Sequence, residues 1–340
     1  MGTVSDPLHV NARRRLLLAA APLAASAFSG GARAAAAGTG YPTRQLTLVC
    51  PFPAGGSADT VSRLAAHALA AELGQSVVVE NKAGAGGNIA ADYVARAPAD
   101  GYTLLVAGQA ILAINKPLYR KLPYDAEKQF RFVSMIASMP NVLIINPKTV
   151  PVAGIKEFAA YVKAHPGDVS YGSNGVGSLS HLTTEMLAKT GGMKFLHVPY
   201  KGSAPLMVDL VAGRLGFCFT GSALAAQMVK EGSVKALAVT TSERIRALAD
   251  VPTLVESGFP ELNAPSWFAM VAPAGVKPEV FERLSLAMAR ITASPDYVAA
   301  LDKAASIVEA MDPAAGEARL KRERAFWTEA VTMTGATAHD

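Results

Sequence analysis

Two glycine- and serine-rich segments carry the residue types that could bind a small ligand. Residues 51–59 read PFPAGGSAD and residues 171–181 read YGSNGVGSLSH. Each segment follows a short apolar run and precedes a helical pattern. Glycine lets a backbone approach a ligand closely, and the free N–H groups at a helix start attract an anion. These segments, called loop one and loop two below, predict a cleft that holds a small carboxylate from two sides, with phosphate as a second possibility.

Each of these loops also has a purely structural interpretation. Loop one could be a tight turn in which Ser57 or Asp59 caps the following helix. A third glycine-rich segment, residues 81–88 with the sequence NKAGAGGN, also precedes a helix. It could be a further anion site, but we favour the interpretation as a structural turn. No segment has the spacing of a dinucleotide-binding or phosphate-binding loop motif, so the sequence does not predict nucleotide binding.

Catalytic and metal-binding interpretations are weaker than the binding interpretation. Ser178 and His181 stand three residues apart, and a Ser–His pair could serve an exported hydrolase, but no positioned acid accompanies them. His181 and Glu185 are four apart and could face a metal, but a third ligand is missing from the pattern. We therefore expect a protein that is not an enzyme and has no cofactor and no metal.

Strands and helices alternate along the chain, which predicts an α/β fold with mainly parallel sheets flanked by helices. Apolar positions at helical spacing, ended by Gly74, predict a helix after loop one. Predicted strands cover residues 46–50, 77–80, 103–107, 141–146, 169–171, 195–198, 215–219, 234–239 and 267–271. Predicted helices cover residues 58–73, 89–97, 155–164, 179–190, 203–213, 222–231, 278–292 and 314–332.

Composition excludes several classes of protein. Hydrophobic residues make up 51% of the 340 residues and charged residues only 17%, which excludes a disordered chain. The net charge of +5 does not indicate nucleic-acid binding, because Arg13, Arg14, Arg15 and Arg33 lie near the N-terminus and the rest of the chain has no basic run. Cys50 and Cys218 are distant in sequence and are expected to be small buried hydrophobes, not a disulfide framework.

The first 36 residues have the pattern of an export signal. Three arginines precede an apolar run, and small residues follow at a spacing that suits cleavage near residues 34–37. The apolar run is too short to span a bilayer. Paired arginines also allow twin-arginine export, so the Sec and twin-arginine routes both remain open. We expect a soluble mature protein in the periplasm.

Eight short motifs occur in order over nearly the whole mature chain. They are PFPAGGSAD (51–59), VVVENKAGAGG (77–87), ADGYTLL (99–105), LPYD (122–125), GSNGVGSLSHL (172–182), HVPYKGSAP (197–205), VPTLVESGFPE (251–261) and VAPAGV (271–276). With these motifs the chain resembles the tripartite tricarboxylate transporter receptors, the Bug-type extracytoplasmic solute receptors.

This resemblance implies a two-lobed periplasmic binding protein-like fold of type II with the ligand in the cleft. The expected lobes are residues 37–140 plus 266–340 (lobe 1) and residues 141–265 (lobe 2), so that the chain crosses between lobes twice. The implied ligand-binding residues are Phe52, Ala54, Gly55, Gly56, Ser57, Asp59, Gln109, Ser173, Asn174, Gly175, Gly177, Ser178, His181, Tyr200, Thr220 and Gly221. Gln109, Thr220 and Gly221 are expected to influence selectivity.

The implied function is capture of a small organic carboxylate and its delivery to the membrane permease subunits of a tripartite tricarboxylate-type transporter, by a monomer. A receptor that presents its ligand to a signalling partner is the alternative. Two positions depart from the family pattern. Ala54 replaces a usual proline, and Gly216 stands where the family tends to carry Asp. The departure at residue 216 makes a role for an acid there doubtful.

Overall fold

The computed structural model describes residues 40–200 and 202–338. The predicted export signal and its cleavage site lie outside these residues. Within them, no helix is long and apolar enough to cross a membrane. No group of three or more His, Cys, Asp or Glu side chains in the described residues could hold a metal ion.

Ten strands and eleven α-helices follow one another along the described chain. The strands are β1 Leu46–Cys50, β2 Val77–Asn81, β3 Thr103–Gly108, β4 Phe130–Met139, β5 Asn141–Ile145, β6 Ser170–Ser173, β7 Leu196–Pro199, β8 Phe217–Gly221, β9 Lys235–Val239 and β10 Ser266–Pro273. The helices are α1 Ser57–Leu73, α2 Asn88–Ala95, α3 Asn115–Leu118, α4 Ala126–Gln129, α5 Ile155–Ala164, α6 Leu179–Gly191, α7 Ser203–Val211, α8 Ser222–Lys230, α9 Pro278–Ala293, α10 Pro295–Lys303 and α11 Pro313–Thr334.

Local sequence explains where several helices begin and end. Gly74 adopts the left-handed conformation that ends α1, with φ of 69°, and its N–H donates to the Ala70 carbonyl. Ser294 and Asp312 cap α10 and α11 with their side chains, and each is followed by a proline at the first helical position. These positions match the start and stop signals in the sequence.

The strands form two five-stranded sheets, in the orders β2-β1-β3-β10-β4 and β7-β6-β8-β5-β9. In the first sheet β1 runs parallel to β2 and β3, whereas β10 runs antiparallel to β3 and β4. In the second sheet β6 runs parallel to β7 and β8, whereas β5 runs antiparallel to β8 and β9. One strand per sheet is therefore reversed, and the predicted α/β class with mainly parallel sheets is confirmed.

Helices cover both faces of each sheet and so form two lobes. Apolar side chains of α1 and α9 pack on one face of the first sheet, and those of α2 and residues 110–126 pack on the other. The second sheet lies between α5 and α6 on one face and α7 and α8 on the other. Cys50 and Cys218 are free and buried in these two cores.

Helix α11 contacts the cores of both lobes. Leu320 packs with Phe132 and Trp267 of the first lobe, whereas Trp327 and Val331 join the core cluster that contains Leu182. The chain passes between the lobes directly from β4 to β5 through Pro140, and again at Pro265 just before β10. The two sheets are therefore joined by two short connections, at Pro140 and at Pro265.

Candidate functional site

A cavity of about 510 Å³ lies between the loops that follow the strands. Loops from both lobes line it. Five of the predicted site residues belong to its lining, namely Phe52, Gln109, Asn174, Gly177 and Ser178. A concave site of this size between two lobes has the volume of a small-molecule site.

Loop one is shaped by the Asp59 carboxylate. This carboxylate accepts hydrogen bonds from the Gly55 N–H (3.0 Å), the Arg63 Nε (2.9 Å) and the Asn81 side-chain amide (2.9 Å). The bond from Arg63, opposed by burial and aided by Gly55 and Asn81, lowers the pKa of Asp59 to about 2. Asp59 therefore holds the turn together. Helix α1 is capped by Gly56 with no side-chain hydrogen bond, so the alternative of a Ser57 or Asp59 cap is wrong.

The remaining predicted residues of loop one are exposed. Ala54, Gly55, Gly56 and Ser57 stand on the surface of the turn, outside the cavity lining. Gly55 has a φ of 86°, a left-handed conformation that glycine adopts without strain. Phe52 is the residue of this loop that reaches the cavity.

Ser178 of loop two caps the N-terminus of helix α6. Ser178 Oγ accepts the His181 N–H at 3.3 Å and donates to the Gly175 carbonyl at 2.6 Å. Gly177 has a φ of 77°, and a Cβ there would approach Leu118 Cδ1 to 2.8 Å. Glycine is required at residue 177 because the first lobe packs directly against this turn.

The stacked imidazole rings of His181 and His197 contact loop two. His181 Nδ1 accepts the Gly177 N–H at 3.1 Å, and its ring lies 4.2 Å from the ring of His197. His197 Nε2 shares a hydrogen bond of 2.7 Å with Ser173 Oγ. Burial, and then the neighbouring His197, lowers the pKa of His181 to about 4. His181 is thus neutral and positions the backbone of the cavity wall.

The geometry of Ser178 and His181 does not match a nucleophile and its base. The serine hydroxyl interacts with the main-chain N–H of His181, and the imidazole nitrogen Nδ1 is occupied by Gly177. A hydrolase needs the imidazole to accept the proton of the serine hydroxyl. The observed contacts are those of a helix cap and a loop support.

Gln109 forms hydrogen bonds to the second connection between the lobes, at Pro265 and Trp267. Its Nε2 donates to the Pro265 carbonyl, and its Oε1 accepts the Trp267 N–H at 3.0 Å. Beside it, Asn141 Nδ2 donates to Ser266 Oγ at 3.0 Å and joins the two connections. Both ends of the Gln109 amide are therefore bonded to the protein, although the side chain lines the cavity.

The last predicted residues lie away from the cavity lining. Tyr200 Oη donates to Asp209 at 2.6 Å, and burial and this bond raise the pKa of Tyr200 to about 12. Thr220 is buried in β8 opposite Val142, and Gly221 is exposed at the end of that strand. Ser173 and Gly175 belong to the hydrogen bonds inside loop two.

The sequence analysis missed several residues that line the cavity. Gly86, in the segment interpreted as a structural turn, is one of them, and its carbonyl accepts a hydrogen bond of 3.2 Å from Asn115 Nδ2. Phe268 of β10 is another. Ala338, near the C-terminus, also lines the cavity, and its N–H donates to the Leu118 carbonyl at 3.0 Å. The sequence carries no local signal for Ala338, whereas the aromatic side chain of Phe268 on a predicted strand could have suggested a cavity wall.

Comparison with known proteins identifies the family. The sequence profile of the tripartite tricarboxylate transporter family receptors matches residues 61–325. The chain belongs to this family. Its members are periplasmic solute receptors, and this protein is a solute-binding receptor of the same type. BugT of Bordetella pertussis is 39% identical over 246 residues, which cover 72% of this chain and 75% of BugT.

Two solved relatives share the two-lobed fold. The R. palustris protein Rpa4515, solved with adipate, is 35% identical with a TM-score of 0.72, and the match covers 87% of this receptor and 99% of that chain. MatC of Rhodopseudomonas palustris, solved with bound malate, is 32% identical with a TM-score of 0.68, and the match covers 86% of this receptor and all of that chain.

Proposed function

We propose that this receptor captures a small organic carboxylate between its lobes and delivers it to the membrane permease of a tripartite tricarboxylate-type transporter. The observation that carries the proposal is the cavity lined by loops of both lobes. Relatives of the same fold were solved with adipate and with malate, which are both carboxylates. The receptor itself acts as a monomer, without a cofactor or a metal, and catalyses no reaction.

The lobes in this proposal are residues 37–140 plus 266–340 and residues 141–265. They close about the two connections at Pro140 and Pro265, as hinged binding proteins do. Loop one and loop two then approach the anion from opposite sides, and the starts of α1 and α6 supply N–H donors. The site residues are those predicted above, and the lining of the cavity by Phe52, Gln109, Asn174, Gly177 and Ser178 supports this proposal.

The proposed place of action is the periplasm. The family consists of periplasmic receptors, and residues 1–36 have the pattern of an export signal with cleavage near residues 34–37. A permease that accepts the loaded receptor would complete the transport cycle. Uptake of the bound acid by cells should depend on both the receptor and the permease. Uptake without the receptor would favour a sensory role.

The binding step can be tested with the mature protein, starting at residue 37. Its thermal unfolding is followed with a panel of mono-, di- and tricarboxylates, since a ligand at about 100 times Kd adds about 2.7 kcal/mol to folding stability. A rise in Tm with at least one carboxylate is expected. No rise with any acid, and no acid released from the denatured protein in mass spectrometry, would refute carboxylate capture.

A pair of serine variants tests the position of the site. Ser178→Ala and Ser294→Ala each remove a helix cap, at a cost of about 1 kcal/mol. Both should lower the Tm of the free protein, but Ser178→Ala alone should weaken carboxylate binding measured by calorimetry, because Ser294 lies outside the cavity lining. Equal affinities for the two variants would contradict the placement of the carboxylate at loop two.

A further inference from the structure

We infer that Thr240 is a positioning residue for ligand capture, because it ties both connections between the lobes to the second lobe. Gln109 ties the second connection to the first lobe. The closing motion is therefore confined to two junctions, Met139–Pro140 and Ala264–Pro265. This inference rests on the proposed function, since it describes how the lobes close around the ligand.

Thr240 holds both connections on the side of the second lobe. It follows β9 directly and is fully buried. Its N–H donates to the Asn141 carbonyl at 2.9 Å, and its Oγ1 accepts the Asn141 N–H at 3.1 Å. Its carbonyl accepts the Ala264 N–H at 2.9 Å. One residue of the second lobe therefore fixes the first residue after Pro140 and the last residue before Pro265.

Gln109 and a strand pair hold the same connections on the side of the first lobe. Gln109 bonds to the Pro265 carbonyl and to the Trp267 N–H. Met139, the last residue of β4, lies opposite Ser266, the first residue of β10. The first lobe thus holds the first connection up to Met139 and the second connection from Pro265 onward.

Proline suits the two junctions at which the hydrogen bonds change from one lobe to the other. These junctions are Met139–Pro140 and Ala264–Pro265. Proline has no N–H, so a movement at the junction leaves no backbone donor without a partner. Its fixed φ also restricts the directions in which the chain can turn. Both connections share this chemistry, so the lobes turn about the two prolines as about a hinge.

Thr240 lies outside the cavity lining and therefore acts through the connections. Arrangements in which Asn141 leaves Thr240 Oγ1 cost the receptor a hydrogen bond. Thr240→Val removes this acceptor and nearly keeps the shape of the side chain, so the population of such arrangements rises. The share of receptor that can close on a ligand then falls, and apparent affinity falls with that share. Carboxylate binding should weaken by up to about fivefold, the equivalent of one neutral hydrogen bond.

The free mature receptor tests the role of Thr240 without a ligand. Glu231→Cys on the second lobe and Glu279→Cys on the first provide exposed sites for spin labels, whereas both native cysteines are buried. Double electron–electron resonance should give a broader distribution of distances between the labels in Thr240→Val than in the labelled parent. Thr253→Val is the matched control, because Thr253 is equally buried and its Oγ1 accepts the Glu256 N–H at 2.9 Å within the second lobe.

Three further variants define the outcomes. Thr253→Val should lower the Tm without broadening the distribution, and Thr240→Ser, which keeps the hydroxyl, should retain the distribution of the parent. Gln109→Leu frees the second connection from the first lobe and should broaden the distribution as Thr240→Val does. Equal distributions in Thr240→Val and Thr253→Val, or an unchanged one in Gln109→Leu, would overturn the inference.

Calorimetry separates this inference from the proposed function. With adipate and malate, the acids in the solved relatives, Thr240→Val should bind more weakly than the parent, whereas Thr240→Ser and Thr253→Val should bind as the parent does. Equal affinities in Thr240→Val and Thr253→Val would contradict the role of Thr240 in capture. Failure of every carboxylate to bind the parent would instead refute the proposed function, and the label distances would still decide whether Thr240 holds the connections.

Discussion

Replacing Arg319 with Met should destabilise the receptor by about 3 kcal/mol. Arg319 has only 9% of its side chain exposed and forms ion pairs of 2.7 Å with Glu309 and with Glu323. Glu323 also accepts the indole N–H of Trp267 at 2.9 Å. The cluster joins α11 to β10, the strand that enters the first sheet after the second connection between the lobes.

The magnitude follows from the burial of the charges that would be left. Breaking a buried ion pair by removing one partner costs about 3–5 kcal/mol. The exposed fractions of Glu323 and Glu309 are 17% and 30%, so water can partly solvate the two carboxylates and the lower end of that range applies. Urea unfolding followed by circular dichroism should therefore show a lower midpoint with an unchanged m-value.

Two further variants make this prediction refutable. Arg290→Met breaks an exposed pair with Glu72, in which the arginine side chain is 63% exposed, and should cost less than 1 kcal/mol. In the double variant Arg319→Met/Glu323→Gln, the glutamine still accepts from Trp267, so the total loss should be smaller than the sum of the single losses by about 1 kcal/mol or more. An Arg319→Met variant as stable as Arg290→Met, or additive losses, would show that the cluster does not act as a buried network.

Three other perturbations have defined outcomes. The free energy of unfolding should fall by roughly 2 kcal/mol between pH 7 and pH 4. The cause is that His181 has a pKa of about 4 in the folded protein, so that over this pH range it binds a proton more readily in the unfolded chain. The variant His181→Gln should flatten this part of the pH profile of urea unfolding. An unchanged profile in that variant would assign the effect to other groups. Asp59 has a pKa of about 2 in the folded protein, so its stabilising contribution is present above pH 4 and is lost as the pH falls toward 2. The variant Asp59→Asn should therefore remove this pH dependence of the Tm. A Tm of the variant that still falls in the same way between pH 4 and pH 2 would disprove the role of Asp59. Deleting residues 336–340 should lower the Tm and weaken carboxylate binding in calorimetry, because Ala338 bonds to Leu118 and lines the cavity; undiminished affinity would show that the cavity does not need this wall.

Local signals in the sequence were sufficient for most elements. The helices that end at Gly74 and begin after Ser178 were predicted closely, because glycine and serine act there through their own backbone and side-chain chemistry. Strand β4, Phe130–Met139, was not predicted as a strand. Its nearly continuous apolar run has no glycine or proline at its start, and such a run does not distinguish a buried strand from a buried helix by periodicity.

Part of the predicted site lines the candidate cavity, because local sequence signals also mark the loops around it. Glycine-rich turns at strand ends indicate where a ligand approaches, and loop two does line the cavity. Which side chains face the ligand is decided by contacts distant in sequence. Gln109 bonds to Pro265, 156 positions away, and Asp59 bonds to Asn81, 22 positions away. A single sequence contains no record of these pairings.

The interior position of β10 in its sheet also limits when the first lobe can fold. This strand lies between β3 and β4, and the hydrogen bond from the Trp267 N–H to Gln109 joins residues 158 positions apart. Until residues 266–273 are available, the apolar edges of β3 and β4 have no partner between them, and exposed strand edges promote aggregation. Contacts of such long range also slow folding. A chain still emerging during synthesis therefore cannot complete its first sheet before residues 266–273 have been made.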